Sequence, residues 1–409
     1  MIRICKMGTM SKCMLSLFTI LLLYCFVFNP PFRFLSVGLT KFMYILSFPF
    51  FISPSINKKY CSRFSSVTLL LVLFVLYSFF VHLLFSSEAS FVLKNIFLVF
   101  ESFFTAYVIA HYLVSYYQDR ADLMILWTSI IACVITIILI IKPDLNASAR
   151  EMFVMLDDER LQNIAIFRGF GIADDLLFTY PIALSIGLCI CLQYVRKNVL
   201  YLGLVFLFLV GIFFNARIGM VPISIYLMYV VFKERKISFL LILSITIIVL
   251  IFILFNSNIL DEHEVTIRWL KEGFMEVSSL LSGEEQTTGT FGNLSRMIII
   301  PDTFLGFMLG TGKDIYLAND SSDIGYILQL NYGGIIYVLF FFFVVLKLYK
   351  IIRKNNLPQN RWFNIVFIGT FLICNIKGNF FATHSGVRML MLLFFVYVIL
   401  NNATNYQER

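Results

Sequence analysis

Residues 123–141 read LMILWTSIIACVITIILII, an uninterrupted apolar stretch bounded by Asp122 on one side and Lys142 on the other. An α-helix needs about 20 such residues to cross roughly 30 Å of hydrocarbon. Working outward, comparable runs recur along almost the whole chain, at about 14–31, 34–53, 67–85, 92–113, 176–195, 199–214, 218–232, 237–255, 325–346, 363–380 and 388–401. The chain therefore reads as an all-α, polytopic membrane bundle of about twelve transmembrane helices. Composition agrees: 60% of residues are hydrophobic, 46 are Phe, and only 14% are charged, against roughly 45–50% apolar residues in soluble domains.

The formal net charge of +8 would suggest nucleic acid in a soluble protein. Here the excess Lys and Arg lie in short links between apolar runs, where membrane topology explains them without a nucleic-acid partner. Arg3, Lys6 and Lys12 precede the first run, which lacks a small-residue cleavage site and reads as an uncleaved span. Neither large polar segment carries a cysteine, which excludes disulfide stapling of an exported domain, and no Cys/His spacing resembles a metal site.

Alternating sides from the N-terminus puts Lys58, Lys59, Arg63, Arg120, Arg196, Lys197, Lys233, Arg235, Lys236, Lys347, Lys350, Arg353, Lys354 and Arg361 on one face, with both termini. By the positive-inside bias that face is cytoplasmic. Two longer polar segments, about 142–175 and 256–324, fall on the other face. The organisation is thus N-terminal helices 1–141, a first outer loop 142–175, central helices 176–255, a second outer loop 256–324 and C-terminal helices 325–409. In the second loop Ile267, Leu270, Phe274, Val277 and Leu281 recur at helical spacing, which predicts an amphipathic helix lying on the membrane surface or on the loop itself.

Six arginines, Arg150, Arg160, Arg168, Arg217, Arg268 and Arg296, sit on the outer side against the bias. An anionic ligand would hold them there. A guanidinium fork matches phosphate oxygens in pairs and stays charged at any relevant pH, so several together suit a lipid pyrophosphate. Arg217, in NARIG between two apolar runs, has no neighbouring acid; it is either such a ligand or a side chain reaching the headgroups. Arg168 stands in FRGFGIADD, whose glycines permit close backbone approach, and Arg296 follows Ser295 on a short predicted helix. Arg160 is flanked by Asp157, Asp158 and Glu159, which offer it ordinary pairing.

A hydroxyl acceptor asks for a base, and His384, in the outer link FFATHSGVR beside Lys377 and Arg388, is the candidate; the alternative is a loop residue bonded to backbone. Lys94 and Glu101, two helical turns apart, would form an intramembrane charge pair of a transporter. Asp320 and Asp323 read as helix-capping acids before 325. The Gly-rich turn at Gly310 and Gly312 lacks the preceding strand of a P-loop.

FRGFGIADDLLFTYPIAL (167–184), NARIGMVP (215–222) and FLGFMLGTG (304–312) followed by DSSDIGYILQLNYGGIIYVLF (320–340) carry a resemblance over the entire layout. The chain resembles the Wzy-type O-antigen polymerases and, more distantly, the O-antigen ligases. It departs in Ala216, where a Ser usually precedes the arginine, and in the nine residues between Arg296 and Gly306, where ten separate Arg160 from Gly171.

The resemblance implies a GT-C-like, metal-independent glycosyltransferase of a bacterial inner membrane, with two periplasmic loops and no cofactor. It would join undecaprenyl-pyrophosphate-linked repeat units at the periplasmic face, in contact with membrane lipids, with a chain-length regulator and a flippase as candidate partners. Arg168, Arg217, Arg296 and Arg160 would then bind pyrophosphate and His384 act in catalysis. An O-antigen ligase and a lipid-linked oligosaccharide flippase are the alternatives.

Overall fold

A computed structural model describes residues 9–35, 38–87, 89–153, 171–174, 178–235, 294–316, 322–355 and 357–407. Among them the secondary structure is helical, with no strand beyond one isolated bridge, Phe32 to Phe153. The helices are α1 (Thr9–Phe28), α2 (Leu39–Ile52), α3 (Pro54–Phe85), α4 (Ser90–Phe97), α5 (Ala106–Tyr117), α6 (Ala121–Ile141), α7 (Pro143–Met152), α8 (Thr179–Val195), α9 (Leu202–Phe213), α10 (Met220–Tyr229), α11 (Phe304–Leu309), α12 (Gly325–Asn355), α13 (Arg361–Cys374) and α14 (Ser385–Gln407). Eleven of the twelve expected runs coincide with helices; 237–255 lies outside the described residues, as do the amphipathic stretch 267–281 and the loop segment 154–170. Three continuous stretches, Ile56–Phe85, Phe91–Ile141 and Gly325–Asn355, are long and apolar enough to cross a membrane.

Boundaries moved where polar groups found partners. α3 starts thirteen residues before the apolar run because Pro54 occupies its first turn, where a missing N–H costs nothing. α13 stops at Cys374 instead of running to 380, since Asn375 turns its amide toward Gln329 of α12. The 51-residue stretch Phe91–Ile141 is broken at Gln118 (φ 49°, ψ −124°) into α5 and α6. Between α4 and α5 runs a wide π turn, Leu98–Thr105, packed against α2 and α14.

α14 is the centre of the bundle, packing against α1, α5, α8 and α12. Its residues from Val387 to Val398 are all buried. α2 is the opposite case: Phe42, Ile45, Leu46, Phe48, Phe50 and Ile52 face outward, as a lipid-facing helix would.

The bundle has two chemically distinct ends. At one, Lys59 acts on His111, Arg63 on Tyr107 and Arg361 on Tyr229, while Arg196 pairs with Glu234 at 2.6 Å and Tyr194 donates to Asp122 at 2.8 Å. These are residues that the charge pattern assigned to a single face. At the other end lie the link after α1, the 171–174 segment, Asp314, and the link between α13 and α14.

α12 is interrupted by Gly333 (φ −126°, ψ 17°) and Gly334 (φ 67°, ψ −170°). The break frees three carbonyls, which in an apolar setting must find donors. Thr311 N donates to Asn331 O at 2.7 Å and Gly312 N to Tyr332 O at 3.0 Å, so the Gly-rich turn after α11 closes the gap. Tyr77 of α3 supplies a third donor, to Gly333 O at 2.8 Å. The two backbones approach so closely that a Cβ at Gly334 would lie 2.3 Å from Met308 O, and one at Gly310 2.2 Å from Tyr332 O.

Two expectations are corrected. Lys94 and Glu101 do not pair: Lys94 is half-exposed and bridges to Asp314 at 3.4 Å, whereas Glu101 is buried elsewhere. Asp323 does not cap α12; Ser322 Oγ accepts from Ile324 N at 3.2 Å, and Asp323 meets Lys377 at 3.9 Å. Asp320 lies outside the described residues.

Gly334→Ala must place a side chain in the left-handed region, at roughly 1–2 kcal/mol, before any steric overlap. The purified variant is expected to melt several degrees below the parent in detergent, while Gly203→Ala, which meets open space, leaves the melting temperature unchanged or raised.

Candidate functional site

The end opposite the basic one contains a buried polar network built from four separate stretches of chain. α1 terminates at Asn29, whose left-handed backbone (φ 46°) ends the helix, a conformation Asn tolerates well. That turn aims the Asn29 amide two ways: Oδ1 accepts from Thr40 N at 3.0 Å at the start of α2, and Nδ2 donates to Asp174 at 2.7 Å. The 171–174 segment is pinned to α1 as well, with Asp174 N donating to Phe28 O at 2.9 Å and Tyr24 Oη to Gly171 O.

Into this arrangement projects Arg388, one turn into α14 and 0% exposed. Its Nη2 donates to both Asp174 oxygens, at 2.7 and 2.8 Å, and its Nε donates to Val27 O at 3.0 Å, one of the carbonyls left open at the end of α1. Ser385 Oγ adds a longer bond to Asp174, 3.4 Å. A guanidinium so placed is tolerable only because a carboxylate and a carbonyl replace its water.

A second carboxyl group lies close by. Glu101, in the π turn, accepts at Oε2 from Thr40 Oγ1 (2.8 Å) and from Thr383 Oγ1 (3.2 Å), and is acted on electrostatically by Arg388 and Lys41. Ser102 Oγ lies 3.3 Å from the same Thr383 hydroxyl. Lys41 in turn stands 4.4 Å above the Phe97 ring, at the lip of the cluster.

His384 is buried between Phe380 and Phe178, with Nε2 3.4 Å from Asn379 O. Burial, reinforced by the Arg388 charge, holds its pKa down to about 3, against the smaller opposing pull of Asp174. The ring is therefore neutral across the physiological range. Asn379 is held through Gln329 Nε2 (3.0 Å), and Gln329 exchanges amide bonds with Asn375 at 3.2 and 3.3 Å. The whole 375–384 link is thus tied to α12 by amides and to the π turn by hydroxyls.

Of the arginines expected to bind phosphate, Arg168 and Arg160 lie outside the described residues. Arg217 is half-buried in a tight turn, Arg217–Gly219, where Gly219 packs on Pro181 in the first turn of α8. The opposite side of that turn of α8, at Thr179, faces Gly386 of α14. The Arg217 turn and the Arg388 cluster therefore flank one helix start. Arg296 is exposed on a single helical turn; three residues on, Ile299 O accepts from Asn331 of α12 at 2.7 Å. Both arginines belong to the end of the bundle that holds the network.

Sequence reading missed Arg388 as the organising cation and Asp174 as its partner. The available signal was a charge opening an otherwise apolar run, which demands a partner inside the protein. Glu101 was noticed, and its partners were misassigned.

Removing the Arg388 side chain deprives the Asp174 carboxylate of its cation and leaves it neutral donors such as Asn29 and Ser385, a change worth about 3–5 kcal/mol when one partner of a buried pair is lost. Arg388→Met is expected to abolish a measurable folded fraction or lower its melting temperature sharply, and Arg388→Met with Asp174→Asn to recover a large part, both read by size-exclusion elution and thermal melting.

His384 adds a pH dependence of known sign. Its folded pKa lies below the unfolded value near 6.5, so the unfolded state binds more protons as pH falls from about 6.5 toward 3, and stability is lost over that window. Melting temperatures from pH 7.5 to 4.5 should fall less steeply for His384→Gln than for the parent; equal slopes would contradict the burial.

No protein-family model matches the chain, and no curated protein is significantly similar to it.

Proposed function

We propose that this protein is an O-antigen polymerase of the Wzy type, joining undecaprenyl-pyrophosphate-linked repeat units at the periplasmic face of a bacterial inner membrane. The observation that carries the reading is the siting of polar machinery: Arg217, Arg296, His384 and the Arg388–Asp174–Glu101 network all belong to the end of the bundle opposite the basic residues. In a polymerase that end faces the periplasm, where the flipped lipid-linked unit presents its pyrophosphate. About twelve spans, a GT-C-like arrangement and cytoplasmic termini complete the proposal.

The proposed chemistry rests on the charge of the guanidinium groups and on a neutral imidazole. A sugar hydroxyl of the incoming unit attacks the anomeric carbon of the growing chain, the carbon–oxygen bond to pyrophosphate breaks, and the lipid pyrophosphate leaves with the electron pair. Arg217, Arg296 and Arg168 stabilise that developing charge, and Arg160 adds to the binding of pyrophosphate. His384, neutral at physiological pH, accepts the hydroxyl proton.

The transporter reading loses its main support, because Lys94 pairs with Asp314 and not with Glu101. The ligase reading shares every feature named here, and the product profile separates the two. A deletion strain should show lipopolysaccharide capped with a single repeat unit; core with no repeat would indicate a ligase, and lipid-linked units retained inside the cell a flippase. Arg217→Ala and Arg296→Ala, checked for normal membrane level, are expected to lower long-chain product at least about 100-fold, the loss of roughly 2.7 kcal/mol typical of one transition-state donor. Unchanged chain length in both would refute the assignment.

A further inference from the structure

Glu101 is a buried acidic side chain for which the proposed reaction has no role. It sits 2% exposed in a π turn, a rare geometry that recurs at functional sites. The wider turn places Glu101 between α2 and α14, and its Oε2 takes two hydroxyl donors from different stretches: Thr40 from α2 and Thr383 from the link before α14. Thr383 directly precedes His384, and Arg388 lies five positions on. The opposite side of the link is held by the Gln329–Asn375–Asn379 amides. The link is therefore clamped from both sides, by neutral amides and by one carboxylate.

We propose that Glu101 is a positioning residue: through Thr383 it fixes the 379–384 link, and with it the placement of His384, without itself touching the reacting groups. As a role in catalysis this rests on the polymerase reading; as a clamp it does not. Glu101 Oε1 has no hydrogen-bond partner among the described residues, so one oxygen carries the clamp and the side-chain amide of Gln can reproduce it.

The test uses the full chain purified in detergent with Ala382→Cys, a half-exposed position beside Thr383, and follows its maleimide labelling above the parent background. Glu101→Ala and Thr383→Val should each speed labelling about five-fold or more, the cost of one buried hydrogen bond of roughly 1 kcal/mol. Glu101→Gln should stay within about two-fold of the parent. Thr383→Val removes the same bond, together with the 3.3 Å contact to Ser102, with little change of shape, so the clamp remains testable should Glu101→Ala fail to fold. Unchanged labelling in Thr383→Val, or Glu101→Gln behaving as Glu101→Ala does, overturns the clamp. In cells, Glu101→Ala should shorten the polysaccharide chains and Glu101→Gln restore them. Faster labelling with normal chains overturns the positioning role and leaves the polymerase reading standing; a deletion strain with unaltered polysaccharide defeats that reading, and the labelling result still decides the clamp.

Discussion

The Arg388–Asp174 ion pair is the constraint on which the polar, non-basic end of this bundle depends. A guanidinium enclosed among α1, the 171–174 segment and α14 has no access to water, so its position is dictated by where a carboxylate and an open carbonyl can be brought together. That requirement joins the end of α1, the 171–174 segment and the start of α14, which are remote in sequence. The surrounding groups follow: Asn29 and Ser385 also donate to Asp174, and His384 is carried into a pocket where burial keeps its ring neutral at physiological pH.

A second constraint shapes the neighbouring wall. Breaking α12 at Gly333 and Gly334 leaves carbonyls that hydrocarbon will not solvate, and the turn at Thr311 and Gly312 exists in the form that donates to them. Gly310 and Gly334 are therefore accounted for by two backbones in contact, and Gly312 by the Phe85 side chain beside it. A Gly-rich turn read in isolation invites a phosphate; here its N–H groups are already committed to protein.

Legibility divides along the same physics. Apolar runs and the gathering of basic links at one end of the bundle were readable because the hydrocarbon imposes a length and the charge bias groups the basic residues. Helix ends at Pro54 and Cys374 were not: the first lies in a polar stretch ahead of the apolar run, and the second depends on Gln329 of another helix. Neither was the centrality of α14: from Val387 to Val398 it is as apolar as α2, and a run facing lipid has the same composition as one facing other helices. For the site, Arg217, Arg296 and His384 were picked out as polar residues in outer links, whereas Arg388, counted as the edge of a span, was overlooked.

By itself the sequence determined a helical bundle with one basic end, because those properties are sums over local composition. The tertiary structure decided which charges meet. Lys94 has Asp314 for a partner in place of Glu101, Glu101 has two threonine hydroxyls, and Arg388 has Asp174. Pairing of buried charges is set by which helix ends the packing brings within about 3 Å, the reach of a hydrogen bond. No spacing along the chain encodes that distance.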